Sequence, residues 1–158
     1  MQRRLSVLVA SSNGMAWRIC GFACEFLRTE FADIEMLDAG STPATALAQR
    51  GRFLLVVSST FGRGELPRAA QPLQASLRER RVDLSGIVFG VVCLGDRSFR
   101  ETFCGAAARW KELLGFGGAR FAGPELKLDM CERRIELPRL HAWSRAWLAS
   151  LGRTSLAE

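Results

Sequence analysis

The loop at residues 58–64 combines residue types that could hold a flat, polar ligand. It offers three hydroxyls, the aromatic ring of Phe61, and two glycines that let the backbone turn sharply and approach a ligand closely. It follows residues 53–57, a continuous apolar run of the kind that a strand buried on both faces of a parallel sheet requires. Ligands of open α/β sheets lie at the carboxyl ends of the strands, so this loop is a candidate binding site. A plain strand-to-helix connection is the alternative.

A second polar loop, residues 11–16, follows the apolar run 5–10 and precedes a helical pattern formed by Ala16, Ile19, Cys20, Ala23 and Leu27. A small polar loop at a helix N-terminus gathers free backbone N–H groups, hydroxyls and the positive end of the helix dipole, which suits a phosphate. The alternative is that Ser11 to Asn13 only cap the helix. The sequence has neither a Walker lysine nor GxGxxG, so mononucleotide phosphate binding by neutral donors is the one phosphate hypothesis that fits.

A third loop, residues 95–103, follows the buried run 87–94 and carries a second ring, Phe99. The remaining apolar patterns predict a strand at 32–37 and a last strand formed by 119–121 and 125–130, interrupted at Gly123-Pro124. Helices are predicted at residues 42–48, 68–80, 103–115 and 137–151, with Pro43 at the first helical position and Gly115 at the end of the fourth helix. Strands that alternate with helices predict a doubly wound parallel α/β sheet with right-handed crossovers.

Composition limits the possible classes. A chain of 158 residues with 48% hydrophobic side chains predicts one domain over residues 1–158, and no stretch reaches the length of a membrane span. The net charge of +6 favours acidic partners or anionic ligands, but no nucleic-acid-binding motif accompanies it. Five scattered cysteines without a CxxC pair, and a single histidine, His141, argue against a metal site. They predict buried, reduced thiols in a cytoplasmic protein.

The three loops together resemble the signatures of the flavodoxin family. The matching segments are SSNGMA after the first strand, SSTFGRGELP after the third and LGDRSFRETFCGA after the fourth, while the ending, ELKLDM and ELPRLHAWSRAWLASL, is most similar to the small MioC-type flavodoxins. The resemblance covers essentially the whole chain. It implies a flavodoxin-like five-stranded parallel sheet in the order 2-1-3-4-5 with helices on both faces, a non-covalently bound flavin mononucleotide (FMN), and a soluble electron carrier rather than an enzyme.

The resemblance also assigns binding residues, and no catalytic or metal-binding ones. The flavin phosphate is expected among Ser11, Ser12, Asn13, Gly14, Met15 and Ala16. One face and the reactive edge of the ring are expected against Ser59, Thr60, Phe61, Gly62, Arg63 and Gly64, and the other face against Leu94, Gly95, Asp96, Phe99, Phe103 and Cys104. Phe61 and Phe99 would enclose the ring; the alternative is that both phenylalanines fill the core.

Departures from the family pattern set the remaining expectations. The chain has no tyrosine, although the family commonly places tyrosine or tryptophan at the flavin, and Arg63 and Arg68 stand where the family has acids. Because phenylalanine lacks the tyrosine hydroxyl, we expect looser flavin binding. Because the net charge is positive, we expect the redox partners, a flavin-dependent reductase and an acceptor enzyme, to have acidic docking surfaces. Two alternatives stay open: an interaction module that has lost flavin binding, and a reductase that takes hydride directly from a nicotinamide, for which no second nucleotide signature is present.

Overall fold

A computed structural model describes residues 3–132 and 134–156 of the chain, and its centre is one parallel sheet. The strands lie in the order β2-β1-β3-β4-β5. Strand β5 pairs with the first part of β4, and β6 pairs with the last part of β4. Their bounds are β1 Arg3–Ala10, β2 Phe31–Asp38, β3 Phe53–Ser58, β4 Val88–Gly95, β5 Arg120–Phe121 and β6 Leu126–Asp129. The predicted order of the doubly wound sheet is confirmed, as is the interruption of the last strand, where the Gly123–Pro124 peptide bond is cis.

The helices follow the strands in alternation. Their bounds are α1 Met15–Leu27, α2 Ala44–Leu47, α3 Gln71–Glu79, α4 Gly105–Phe116 and α5 Leu137–Leu156, and 3-10 turns span Arg68–Ala70 and Arg97–Thr102. In the described parts of the chain, none of these helices combines the length and hydropathy that crossing a bilayer needs.

Strand β3 shows why the sheet needs helices on both sides. All six of its residues are buried, and successive side chains point to opposite faces. Leu54 and Val56 pack with α2, α3 and α4, whereas Leu55 and Val57 pack with α1 and α5. The core is therefore two apolar layers, one above and one below the sheet. Register places Val57 of β3 beside Val9 of β1 and Val92 of β4, so the carboxyl ends of the three strands lie at one edge.

Several helix boundaries differ from the sequence prediction, including the end of α5, which lies at Leu156 rather than at Leu151. Pro43 is the residue before α2 and has extended backbone angles, so α2 spans Ala44–Leu47 rather than the predicted residues 42–48. The 103–115 prediction begins too early, because Cys104 has φ +54° and cannot continue a right-handed helix, and the helix ends at Phe116 rather than Gly115. Residues 68–80 form a 3-10 turn followed by α3.

The cysteines also require one correction. Cys20, Cys24, Cys93 and Cys104 are buried as predicted, but Cys131 is exposed because it lies in the turn after β6. All five are free thiols. Cys20 and Cys24 share one face of α1, with their Sγ atoms 3.9 Å apart, and pack in the core as expected. His141 is exposed on α5, and its ring centroid lies 4.7 Å from that of Phe26.

Candidate functional site

A cavity of about 770 Å³ opens at the edge where β1, β3 and β4 end. The loops after all three strands contribute to its wall, as the sequence predicts. The first loop supplies Ser12, Asn13 and Met15; the second supplies Ser59, Thr60, Phe61, Gly62 and Arg63; the third supplies Leu94, Gly95, Asp96, Phe99, Phe103 and Cys104. Pockets for small ligands are usually about 300–1,000 Å³, so the cavity is large enough for a mononucleotide.

Four predicted residues lie outside the wall. Ser11 supports the first loop from within, Gly14 precedes α1, Ala16 is fully buried in the core, and Gly64 packs against α4. Two wall residues, Thr102 and Met130, were not predicted. Thr102 lies in the predicted third loop and could have been included. Met130 follows β6, outside the three loop motifs, and only the three-dimensional arrangement brings it to the cavity.

The first loop is held by its own side chains. The Gly14 N–H donates to Ser11 Oγ at 2.8 Å, and the Met15 N–H donates to Asn13 Oδ1 at 3.2 Å. Gly14 has φ +86°, a conformation that favours glycine. Ser11 and Asn13 thus make the capping contacts of the alternative interpretation, and two of the backbone donors expected for a phosphate already have acceptors. A phosphate bound here would have to replace these side-chain oxygens as the acceptor of the two N–H groups.

The second loop is a tight hairpin fixed to α4. The Phe61 N–H donates to the Glu65 carbonyl at 2.8 Å, and the Glu65 N–H donates to the Phe61 carbonyl at 2.7 Å. Gly62 and Gly64 have φ +55° and +86°, which the tight turn requires. Arg109 Nε on α4 donates to the Gly64 carbonyl at 2.7 Å. These contacts hold Phe61 at the cavity wall.

The third loop presents one ring outward and another inward. Phe99 is 61% exposed, whereas Phe103 is half-buried. The Asp96 carboxylate accepts the Ser98 N–H at 2.9 Å and the Ser98 hydroxyl at 2.6 Å, so it stabilises the turn. Arg100 has φ +52°, an uncommon conformation for a residue with a side chain. The exposure of Phe99 excludes the alternative that both predicted aromatic residues fill the core.

Beneath this loop lies a pair of buried thiols. Cys104 Sγ is 3.4 Å from the Cys93 carbonyl, Cys93 Sγ is 3.6 Å from the Cys104 carbonyl, and Thr60 Oγ1 lies 3.3 Å from Cys93 Sγ. Hydrogen bonding to Cys93 and burial raise the pKa of the Cys104 thiol, so it stays protonated at neutral pH. A Cβ on Gly95 would lie 2.8 Å from the Cys104 N atom, so only glycine fits at this point of the floor.

An acid at the end of β6 holds the third loop in place. The N–H groups of Cys131 and Arg97 donate to Asp129 Oδ1 at 3.1 and 3.2 Å and hold the pKa of the Asp129 carboxyl below its usual value. The hydrogen bond to this carboxylate in turn raises the pKa of the Cys131 thiol. Asp129 therefore remains ionised and links the end of β6 to the third loop.

Fold and cavity together define a doubly wound α/β protein with a ligand site at the carboxyl edge of its sheet. A model of the flavodoxin family matches residues 7–143. The chain belongs to the flavodoxin family.

Individual relatives agree with this assignment. Flavodoxin YqcA of Pectobacterium carotovorum is 30% identical over 145 residues, covering 89% of this chain and 95% of the relative. Protein MioC of Escherichia coli K12 is 34% identical over 94 residues, covering 60% of this chain and 63% of MioC. The structure of a Pseudomonas aeruginosa flavodoxin variant is 30% identical, with a TM-score of 0.77 and coverage of 95% of this chain and 99% of that structure. The resemblance to MioC-type flavodoxins is confirmed.

Proposed function

We propose that this protein binds FMN in the cavity and carries single electrons between a reductase and an acceptor enzyme. The observation that supports this most directly is the convergence of the loops after β1, β3 and β4 on one cavity of suitable volume. Family membership supports FMN as the cofactor. When bound, FMN supplies the redox chemistry, because it exchanges one or two electrons, and the protein contributes binding, orientation and electrostatics.

The proposed orientation of the cofactor follows from the chemistry of the wall. Phe61 and Phe99 would contact the flat faces of the ring system, and each stacking contact contributes about 0.5–1.5 kcal/mol beyond area burial. The flavin phosphate would lie at the loop that contains Ser12 and Asn13, next to the N-terminus of α1. Gly62 would allow the backbone to approach the reactive edge of the ring, because its Cβ is absent and its φ is positive.

We propose that Arg63 tunes the electron affinity of the cofactor. Arg63 is exposed at the cavity wall, and no carboxylate of the described residues forms an ion pair with it. A cation at this point stabilises the more negative, fully reduced flavin. A partly exposed charge contributes about 1 kcal/mol or less, which corresponds to roughly 10–40 mV for one electron.

A graded pair of substitutions tests this role. Arg63→Gln should lower the second one-electron potential of bound FMN by roughly 10–40 mV, and Arg63→Asp should lower it about twice as far, since two charges change. Potentiometric titration measures both values. An unchanged or higher second potential in Arg63→Asp would reject the role.

The proposed partners have acidic surfaces beside their redox centres. Arg63, Arg97 and Arg100 are exposed at or next to the cavity, whereas Asp96 and Asp129 hold turn N–H groups of the same region. Exposed arginines therefore outnumber the exposed acid Glu101 at the rim of the cavity. Opposite charges accelerate protein association, and salt screens them. Electron-transfer rates should fall as ionic strength rises, and rates that rise with salt would contradict the proposal.

The rim charge can be tested directly with charge-reversal variants. The variant Arg100→Glu should slow association with an acidic redox partner in stopped-flow measurements. The matched control is Arg78→Glu, which changes the net charge equally on an exposed residue in the last turn of α3. Equal slowing by both variants would show that only net charge matters. We also propose a cytoplasmic location, in keeping with five free cysteines.

One observation favours an interaction module without flavin. Ser11 and Asn13 already accept two of the N–H groups that a phosphate would use, and no lysine lies in that loop. Titration of the purified apoprotein with FMN distinguishes the two functions. Saturable quenching of flavin fluorescence at one equivalent supports the electron carrier. Fluorescence and absorption that stay those of free FMN support the module.

A further inference from the structure

Two phenylalanines of the cavity wall each have an arginine guanidinium packed over the phenyl ring. Arg68 Cζ lies 5.1 Å from the centroid of Phe61, and Arg97 Cζ lies 5.6 Å from the centroid of Phe103. Both phenylalanines line the cavity and neither arginine does. We propose that Arg68 and Arg97 are positioning residues that hold these rings against the flavin, an inference that rests on the proposed FMN site.

The need for such support follows from the chemistry of phenylalanine. A tyrosine could anchor its ring through a hydroxyl hydrogen bond, but the chain contains no tyrosine, and a phenyl ring has no polar atom. Guanidinium is planar and weakly hydrated, and it stacks on aromatic faces better than an ammonium does. An arginine behind the ring can therefore restrict its orientation while the side facing the cavity remains open.

The backbone directs Arg68 toward Phe61. Pro67 has φ −52° and precedes the 3-10 turn Arg68–Ala70, so the chain leaves the hairpin at Glu65 in a restricted direction. The Phe61–Glu65 backbone pair fixes the other side of the contact. The Arg68 guanidinium thus packs over the Phe61 ring, at the exit of the hairpin that contains Phe61. No carboxylate among the described residues pairs with it, so its charge is available to the ring.

Arg97 is directed by a different contact. Its backbone N–H donates to Asp129 Oδ1 at 3.2 Å, and its Nε lies 4.0 Å from Asp129 Oδ2. Asp129 is the last residue of β6, so the end of a strand fixes the arginine that stacks on Phe103. The two stacks come from separate segments and do not share a residue.

The expected effect is modest and specific to the ring. Cation–π contacts at exposed sites correspond to about a two- to fivefold change in an equilibrium constant. Since the stacks act on the ring system, FMN and riboflavin should lose affinity by the same factor when an arginine is removed. A cation that instead attracted the phosphate would affect FMN far more than riboflavin, which has no phosphate.

The experiment compares both flavins with several variants of the apoprotein. Arg68→Leu and Arg97→Leu remove the planar cation but keep apolar bulk, and each should weaken FMN and riboflavin about two- to fivefold in fluorescence titrations. Arg68→Lys, which keeps the charge without the planar group, should restore part of the affinity. Arg78→Leu is the control, because Arg78 is exposed in the last turn of α3, and its affinities should equal those of the unaltered chain.

A second background isolates the contact itself. In Phe61→Leu, the further change Arg68→Leu should have no additional effect, since the ring on which the arginine acts is gone. In the apoprotein, 4-fluorophenylalanine at position 61 should show a shifted ¹⁹F resonance when Arg68 is replaced, without any flavin present.

Each contrary result has a defined meaning. Losses confined to FMN, losses that persist in Phe61→Leu, an unmoved ¹⁹F resonance, or unchanged affinities for both flavins would overturn the positioning role while leaving the FMN site intact. If the unaltered chain binds neither flavin, the proposed function fails, and the inference fails with it.

Discussion

Alanine at position 105 is a sharp test of how the second loop is held at the cavity. Gly105 begins α4 and lies directly against Gly64 of the hairpin. A Cβ on Gly105 would lie 2.6 Å from Gly64 Cα and 2.9 Å from the Gly64 carbonyl oxygen. Both atoms belong to the backbone, so no side-chain rotation can relieve the contact.

The size of the effect follows from that geometry. Ordinary carbon contacts are about 3.5–4 Å, so the hairpin must move away from α4 by roughly 1 Å. Overpacking of this kind costs about 1–3 kcal/mol, and the gain in helix propensity from glycine to alanine, up to about 1 kcal/mol, offsets part of it. We expect Gly105→Ala to lose about 1–2 kcal/mol of unfolding free energy. Flavin affinity should fall about tenfold, because the displaced hairpin carries Phe61 and Gly62.

Urea unfolding and FMN titration measure the two quantities, and α4 supplies the matched control. Gly115 lies on the same helix, and a Cβ there would meet no atom within 4 Å outside its own stretch of helix, so Gly115→Ala should gain about 0.5–1 kcal/mol and bind FMN normally. If Gly105→Ala proves as stable as Gly115→Ala and binds FMN as tightly, the contact between hairpin and helix does not position the site.

Further predictions concern the core, the pH dependence and the exposed thiol. Gly90→Ala should lose about 1–3 kcal/mol in urea unfolding, because its Cβ would lie 2.5 Å from Trp147 Nε1; stability equal to that of the unaltered chain would contradict this. Partial burial of the Glu125 carboxyl opposes its ionisation. Its hydrogen bonds and its ion pair with Lys111 of α4, at 3.1 Å, outweigh this effect and lower the pKa of the carboxyl. Glu125→Gln should therefore reduce the melting temperature at neutral pH, and the difference should vanish as the pH falls through the carboxyl pKa. Cys131 should be the thiol that reacts with a disulfide reagent in the native protein, because it is exposed. The Asp129 carboxylate raises the pKa of this thiol, so Asp129→Asn should shift the pH dependence of the reaction rate to lower pH. An unshifted pH dependence would show that the carboxylate does not act on the thiol.

Much of this fold could be predicted from local pattern, because the buried strands have no polar alternation. Residues 53–57 are apolar without interruption, and all are buried in β3. The break at Gly123-Pro124 is also local, since both residues disfavour a continuous strand. Because the carboxyl ends of adjacent parallel strands meet at one edge, three loops far apart in sequence could be assigned to one site.

What the sequence could not supply depends on packing between distant segments. Met130 ends the predicted last strand, which places it at the same edge of the sheet, but its contact with the cavity depends on the pairing of β6 with β4 and belongs to none of the three loop motifs. The stack of Arg68 on Phe61 likewise depends on how the chain leaves the hairpin. The sequence shows only that Arg68 stands where the family has an acid. The positive φ of Cys104, which delays the start of α4, has no signal in the sequence, because residues with a side chain rarely adopt this conformation.

Because three strand ends meet at the proposed FMN site, the concentration of free FMN should affect how much of the protein is folded. The wall is complete only when β1, β3 and β4 are paired in register, so the FMN binding proposed above would be confined to the folded chain. Free FMN at about 100 times its dissociation constant would add roughly 2.7 kcal/mol to folding, lowering the unfolded population about a hundredfold. Starvation for riboflavin would thus expose the polypeptide to proteolysis, and its abundance would follow the flavin pool.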